Sequence, residues 1–147
     1  MATPEPRPAG PAQELAPLHL PWVEGYVRCG FASPADDFAV RRCDLNELLI
    51  THPMATFFWR ARGQSMAGAG IGDGDILVVD RALDAVPGDV VVAEVDQDFT
   101  VKYLRKRGAR LRLCAADPTF PDIVPTDART VVICGVVTAI VKRLRGG

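Results

Sequence analysis

A chain of 147 residues, 48% hydrophobic and 24% charged, is long enough to bury one sizeable core and leave a tail over. Its formal net charge is −1, so the molecule as a whole lacks the basic excess that holds a protein on nucleic acid unaided, and direct sequence-specific DNA binding is not expected. Apolar runs are broken by charge well before the ~18 residues of a membrane span, and no basic segment followed by an apolar stretch opens the chain; a cytoplasmic protein without membrane anchor or export signal is expected.

Residues 1–21 hold Pro4, Pro6, Pro8, Pro11, Pro17 and Pro21. Proline fixes φ and removes a donor, so this stretch is expected to form a flexible arm with neither helix nor ladder. From Pro21 to Pro34 aromatic and β-branched residues flank small ones, a composition suited to lying extended in a groove or pairing with a strand. Asp44-Leu45-Asn46-Glu47 has the Asp-x-x-Glu form of a capping box, and Leu48, Leu49 and Ile50 follow before Pro53. That pattern predicts a helix of about two turns that begins the globular part.

Strands are predicted over Thr56–Ala61, Asp75–Asp80, Val90–Val95, Phe99–Arg105, Ala109–Ala115 and Thr130–Leu144, which are rich in Val, Ile and aromatics. Turn chemistry separates them at Asp73-Gly74, Pro87-Gly88, Asp96-Gln97-Asp98 and Arg107-Gly108. The expected fold is mainly β: a single compact antiparallel domain with one short helix. Cys29, Cys43, Cys114 and Cys134 lack C-x-x-C spacing, so free thiols are expected, with no metal and no cofactor.

Gly63-Gln64-Ser65-Met66 falls where a strand ends and a Gly-rich stretch begins. Glycines beside a serine let the backbone turn sharply, exposing the hydroxyl and aiming N–H groups at one spot, as an oxyanion requires. Gly and Ser are also ordinary loop residues, so this block alone does not decide between a site and a turn. A nucleophilic serine needs a base. His19 lies in the proline-rich arm and His52 at a helix end, where capping or exposure suits it better. Lys102 stands inside the apolar run Phe99-Thr100-Val101-Lys102-Tyr103-Leu104, and strand alternation places it on one face with Thr100 and Leu104. Burial of that face would drive the amine toward its neutral form; on an edge strand the same lysine would reach water.

Three blocks in order resemble the LexA/UmuD family of self-cleaving Ser–Lys proteins. Cys29-Gly30-Phe31-Ala32-Ser33-Pro34-Ala35-Asp36-Asp37 is similar to its cleavage segment, Gly63-Gln64-Ser65-Met66 with Gly70-Ile71 and Asp73-Gly74-Asp75 to its nucleophile motif, and Phe99-Thr100-Val101-Lys102 to its base-bearing strand. The resemblance runs from about Tyr26 to Arg145, and Gln64 and Ala32 depart from the usual residues without removing a group the chemistry needs. It implies a β-clip-like domain over 44–147, a linker over 30–43 and an arm of residues 1–29 removed by self-cleavage. It further implies Ser65 as nucleophile, Lys102 as base, the Gln64 and Ser65 N–H groups as oxyanion hole, Gly63 and Met66 as the turn that presents the serine, and Cys29-Gly30 as the bond cut.

Membership implies a homodimer, stimulation by the RecA filament on single-stranded DNA, and support of a UmuC-like Y-family polymerase in translesion synthesis during the SOS response. The short, proline-rich arm cannot house a helix-turn-helix, so the polymerase-regulating branch of the family is preferred over its repressors. Two other readings compete: a signal peptidase of type I, which needs an anchor and usually a proline after the Met, where Ala67 stands here; and a non-catalytic β-rich dimerisation or docking module regulating a polymerase or transcription factor. Arg105, Lys106, Arg107, Arg110 and Arg112 cluster round one hairpin turn, as solvated tips often do, or as a surface for DNA or an acidic protein.

Overall fold

The computed structural model describes residues 16–30, 39–126 and 129–146. The segment from Phe31 to Phe38, which holds most of the expected cleavage block, lies outside the described residues, as does 1–15. Two units emerge, one ending at Thr51 and one beginning at His52.

In the first unit β1 (Leu20–Val23) pairs antiparallel with β2 (Val40–Cys43), from Leu20 opposite Cys43 to Val23 opposite Val40. A ladder therefore includes Leu20 and Pro21, where the arm was expected to form none. Proline is tolerated because both strands of a two-stranded ribbon are edges, so its missing N–H need not face a partner. The Arg41 guanidinium lies 5.7 Å from the centroid of the Trp22 ring opposite it. Helix α1 (Leu45–Leu49) follows, and the buried Asp44 carboxylate accepts from the Asn46 N–H at 2.9 Å. The helix is capped as expected, yet the reciprocal half of the box is replaced: Glu47 lies 3.9 Å from His19 Nε2.

The second unit is one six-stranded antiparallel sheet of β3 (Thr56–Arg60), β4 (Ile76–Asp80), β5 (Val90–Val95), β6 (Asp98–Arg107), β7 (Arg110–Cys114) and β8 (Val131–Val141), in the order β3-β4-β8-β5-β6-β7. Each expected strand is present to within a few residues, and the fold is mainly β with one short helix, as the sequence indicated. Asp96 and Gln97 both take positive φ, as the two-residue turn joining β5 to β6 demands.

One set of inward residues gathers Ala61, Met66, Ile71, Leu77, Val79 and Val92; another gathers Val91, Ala93, Leu104, Leu113 and Val136. Full burial of a Val or Leu side chain contributes about 1.5–3 kcal/mol, so these two clusters are a major source of the sheet's stability. Strand β8 is irregular: Val78 pairs with Ala139 but Val79 with Val137, and Val92 with Gly135 but Ala93 with Ile133, so Thr138 and Cys134 are the extra residues of two bulges. Between them Gly135 lets β4 approach closely, since a Cβ there would meet Val79 Cγ1 at 2.6 Å and the Asp80 carbonyl oxygen at 3.2 Å.

Candidate active site

Strand β3 leads into a loop whose neck is closed by two backbone bonds, Ala61 N–H to the Asp75 carbonyl and Gly74 N–H to the Ala61 carbonyl, each 2.8 Å. Inside the loop Gly63, at φ +95°, donates its N–H to Asp73 Oδ1 at 2.7 Å. A side chain at that φ is strained, which is why glycine serves there. Met66 is 2% exposed and sits in the first apolar cluster, while its carbonyl accepts from the Ala69 and Ile71 N–H groups. Met66 is thus the anchor that fixes its neighbour Ser65. The Ser65 carbonyl in turn accepts from the Asp117 N–H at 3.1 Å. Among the described residues, the N–H groups of Gln64 and Ser65 donate to no protein acceptor.

Lys102 lies on β6 opposite Val91 of β5. Its Nζ stands 3.1 Å from Ser65 Oγ, 2.9 Å from Thr100 Oγ1 and 3.2 Å from the Val101 carbonyl oxygen. Burial pushes the Lys102 amine below its ordinary range, and no carboxylate among the described residues forms an ion pair that would restore the charge. A neutral amine has two N–H donors and one lone pair. The Val101 carbonyl can only accept, and Thr100 Oγ1 takes the second N–H, which leaves the lone pair for the Ser65 O–H. The geometry can draw a proton from that hydroxyl.

Of the residues singled out from sequence, Gly63, Gln64, Ser65, Met66 and Lys102 come together in this unit. Cys29 and Gly30 belong to the other, where both are exposed and a Cβ on Gly30 would meet nothing within 4 Å. Neither histidine bonds Ser65. His52 Nδ1 lies instead 2.6 Å from Asp80 Oδ2, a pairing the expectation of a capping or exposed histidine did not foresee. That bond, with the Ala82 N–H, holds the buried Asp80 carboxyl below its ordinary range.

Three features were given no role from sequence. Thr100 touches the lysine. Asp75, 5% exposed, accepts from the Gly72 N–H at 2.7 Å and pairs with Lys142 beyond β8, and those two contacts depress its carboxyl. His19, Asp44 and Glu47 offer ligand atoms within 4.8 Å of one another, although Asp44 is already engaged at the helix cap. The four cysteines are free thiols.

The Peptidase S24-like family model matches residues 21–138, from β1 into β8. The chain belongs to the Peptidase S24-like family. Protein ImpA of Escherichia coli is 43% identical over 147 residues, covering 99% of this chain and 98% of its own length. Protein MucA of Escherichia coli is 41% identical over 120 residues, covering 81% of this chain and 82% of its own. The LexA repressor of Azoarcus sp. is 37% identical over 126 residues, 85% of this chain and 61% of its own. The S24 assignment makes the chain a UmuD-like serine peptidase of the LexA/UmuD type, within the family of SOS mutagenesis proteins. Among the described residues no helix is long and apolar enough to cross a membrane.

Proposed function

We propose that the protein cuts its own Cys29-Gly30 bond with a Ser65–Lys102 dyad. The observation that carries this reading is the 3.1 Å approach of Lys102 Nζ to Ser65 Oγ, by an amine whose burial favours the uncharged form. Ser65 Oγ bonds the Cys29 carbonyl carbon as its proton passes to Lys102. The Gln64 and Ser65 N–H groups, which among the described residues donate to no protein acceptor, hold the oxyanion. Collapse breaks the C–N bond, the Gly30 amine leaves with the proton from Lys102, and water then hydrolyses the ester joining Ser65 to Cys29. Gly30 allows close approach, and the small Cys29 side chain suits a shallow pocket.

On this reading residues 1–29 are the arm released, 30–43 link the cut to the core, and 44–147 form the peptidase and dimerisation domain of a cytoplasmic homodimer. Activated RecA on single-stranded DNA stimulates the cut, and the trimmed dimer supports a UmuC-like Y-family polymerase in translesion synthesis.

Mass spectrometry of wild type, Ser65→Ala and Lys102→Ala at pH 7, at pH 10 and with activated RecA tests it. Wild type should yield fragments 1–29 and 30–147, and both variants should stay whole. An uncut wild type at pH 10, or cleavage surviving in Ser65→Ala, refutes the dyad.

A further inference from the structure

The geometry points to the outer end of the β6–β7 hairpin as a sequence-independent binding face for the phosphate backbone of single-stranded nucleic acid. The net charge of −1 conceals five cations and no carboxylate between residues 105 and 112. Strand register sorts them. Arg105 pairs with Arg112 and Arg107 with Arg110, while Tyr103 pairs with Cys114, so by alternation four arginines and Tyr103 share one face. Leu104 and Leu113, on the other face, are buried in the core. The Arg105 guanidinium lies 4.4 Å from the centroid of the Tyr103 ring, which fixes it along that face.

Like charges directly opposite on paired strands oppose folding. Among the described residues only Arg112 of the four forms an ion pair, with Asp122 at 2.9 Å, a carboxylate that Arg107 also feels at longer range. Among the described residues Arg105, Arg107 and Arg110 form no ion pair, and all three are exposed. A self-repelling array of this kind fits an external anion. Residues two apart on a strand stand about 6.7 Å from each other, so Arg105 and Arg107 make a row, with Arg110 across from it, that an extended polyanion can follow. Guanidinium forks match phosphate oxygens two at a time. An open cavity adjoins Arg110, lined also by Ala109, Leu111, Val124, Pro125 and Thr126, while the row of Arg105 and Arg107 offers only the ring beneath Arg105; a protein partner draws its affinity from enclosed, desolvated apolar anchors. These features favour a phosphate chain over an acidic protein.

Fluorescence anisotropy of the full chain with labelled oligo(dT) over a range of salt reads the effect directly. Three phosphate contacts give a log–log slope near about −2, or roughly a twentyfold loss of affinity between about 50 and 200 mM salt. Arg105→Gln with Arg107→Gln should leave a slope of about −0.7 and a loss of only about threefold over the same range. Arg107→Gln alone should fall between, and Arg105→Lys with Arg107→Lys should retain the wild-type slope. Thermal melts matching wild type accompany each variant. Absence of oligo(dT) binding at low salt, an unchanged slope in the glutamine variants, or equal affinity for polyglutamate would each overturn the proposal. The last outcome would assign the face to an acidic protein. Because the readout is binding, its failure leaves the Ser65–Lys102 reading untouched, and failure of that reading leaves this one standing.

Discussion

The Thr100 hydroxyl oxygen lies 2.9 Å from Lys102 Nζ, two residues back along the same strand. It fixes where the amine points, and as an acceptor it also steadies the ammonium form. Replacing Thr100 by Val should therefore do two things to self-cleavage. The plateau rate should drop by about tenfold, the worth of one hydrogen bond that aims the base. The pH at which the rate reaches half its plateau should fall, because the ammonium has lost an acceptor and gives up its proton more readily. A pH–rate profile separates this pair of effects from simple loosening, which would lower the plateau and leave the midpoint in place.

Lys102 itself sets a pH dependence. Its folded pKa lies below the ordinary 10.5, from burial, so the neutral base increases as pH rises. Self-cleavage should climb about tenfold per pH unit and level off below the ordinary lysine value. Stability should follow the same sign. Between the two pKa values the unfolded chain binds more protons than the folded one, so rising pH favours folding. Ser65→Ala, which stays whole, should gain against Ser65→Ala with Lys102→Met between pH 7 and pH 10 in parallel urea titrations.

Asp75 joins the loop that carries Ser65 to the residue following β8, through Gly72 N–H and Lys142. Its folded carboxyl is depressed, so the contact stabilises above the ordinary carboxyl range and is lost as pH falls through the depressed value. Asp75→Asn should melt below wild type at neutral pH, and the gap should close in acid. Its self-cleavage should slow at every pH above that range, since the loop holding the nucleophile loses its tie to the sheet. Differential scanning calorimetry from pH 2 to pH 7 checks the sign.

Gly135→Ala should destabilise by about 1–3 kcal/mol, as overpacking does. The new Cβ meets Val79 Cγ1 at 2.6 Å, and valine is stiff at χ1, while backbone at Asp80 blocks the other side at 3.2 Å. Urea unfolding would show a lower midpoint at unchanged m-value. An Ala variant as stable as wild type would mean that β4 and β8 can separate at the bulges without loss.

The strands were legible because their residues announce themselves. Val90–Val95 is almost uniformly apolar, and Asp96-Gln97 and Arg107-Gly108 end their strands with turn chemistry. Strand β2 was not legible: Val40-Arg41-Arg42-Cys43 has one β-branched residue and two charges, and it exists as a strand by pairing with β1. Alternation placed Thr100 on the face of Lys102, and that contact is present, although nothing local gave the hydroxyl a task. The Asp75–Lys142 pair spans 67 residues and joins two elements that no sequence pattern links. The same holds for His52 and Asp80, 28 residues apart, where the apolar run ending in Asp80 gave no sign that its carboxylate would be buried. Thr138 and Cys134 look like ordinary strand residues, and only the register across β4 and β5 shows them as bulges.

Strand β8 lies between β4 and β5, so the hairpin half that leads to the serine and the meander that bears the lysine share no ladder except through it. As the chain leaves the ribosome those two halves appear first, and the strand that pairs with both comes last. On the proposed self-cleaving reading, the sheet that frames nucleophile and base is completed only when synthesis is.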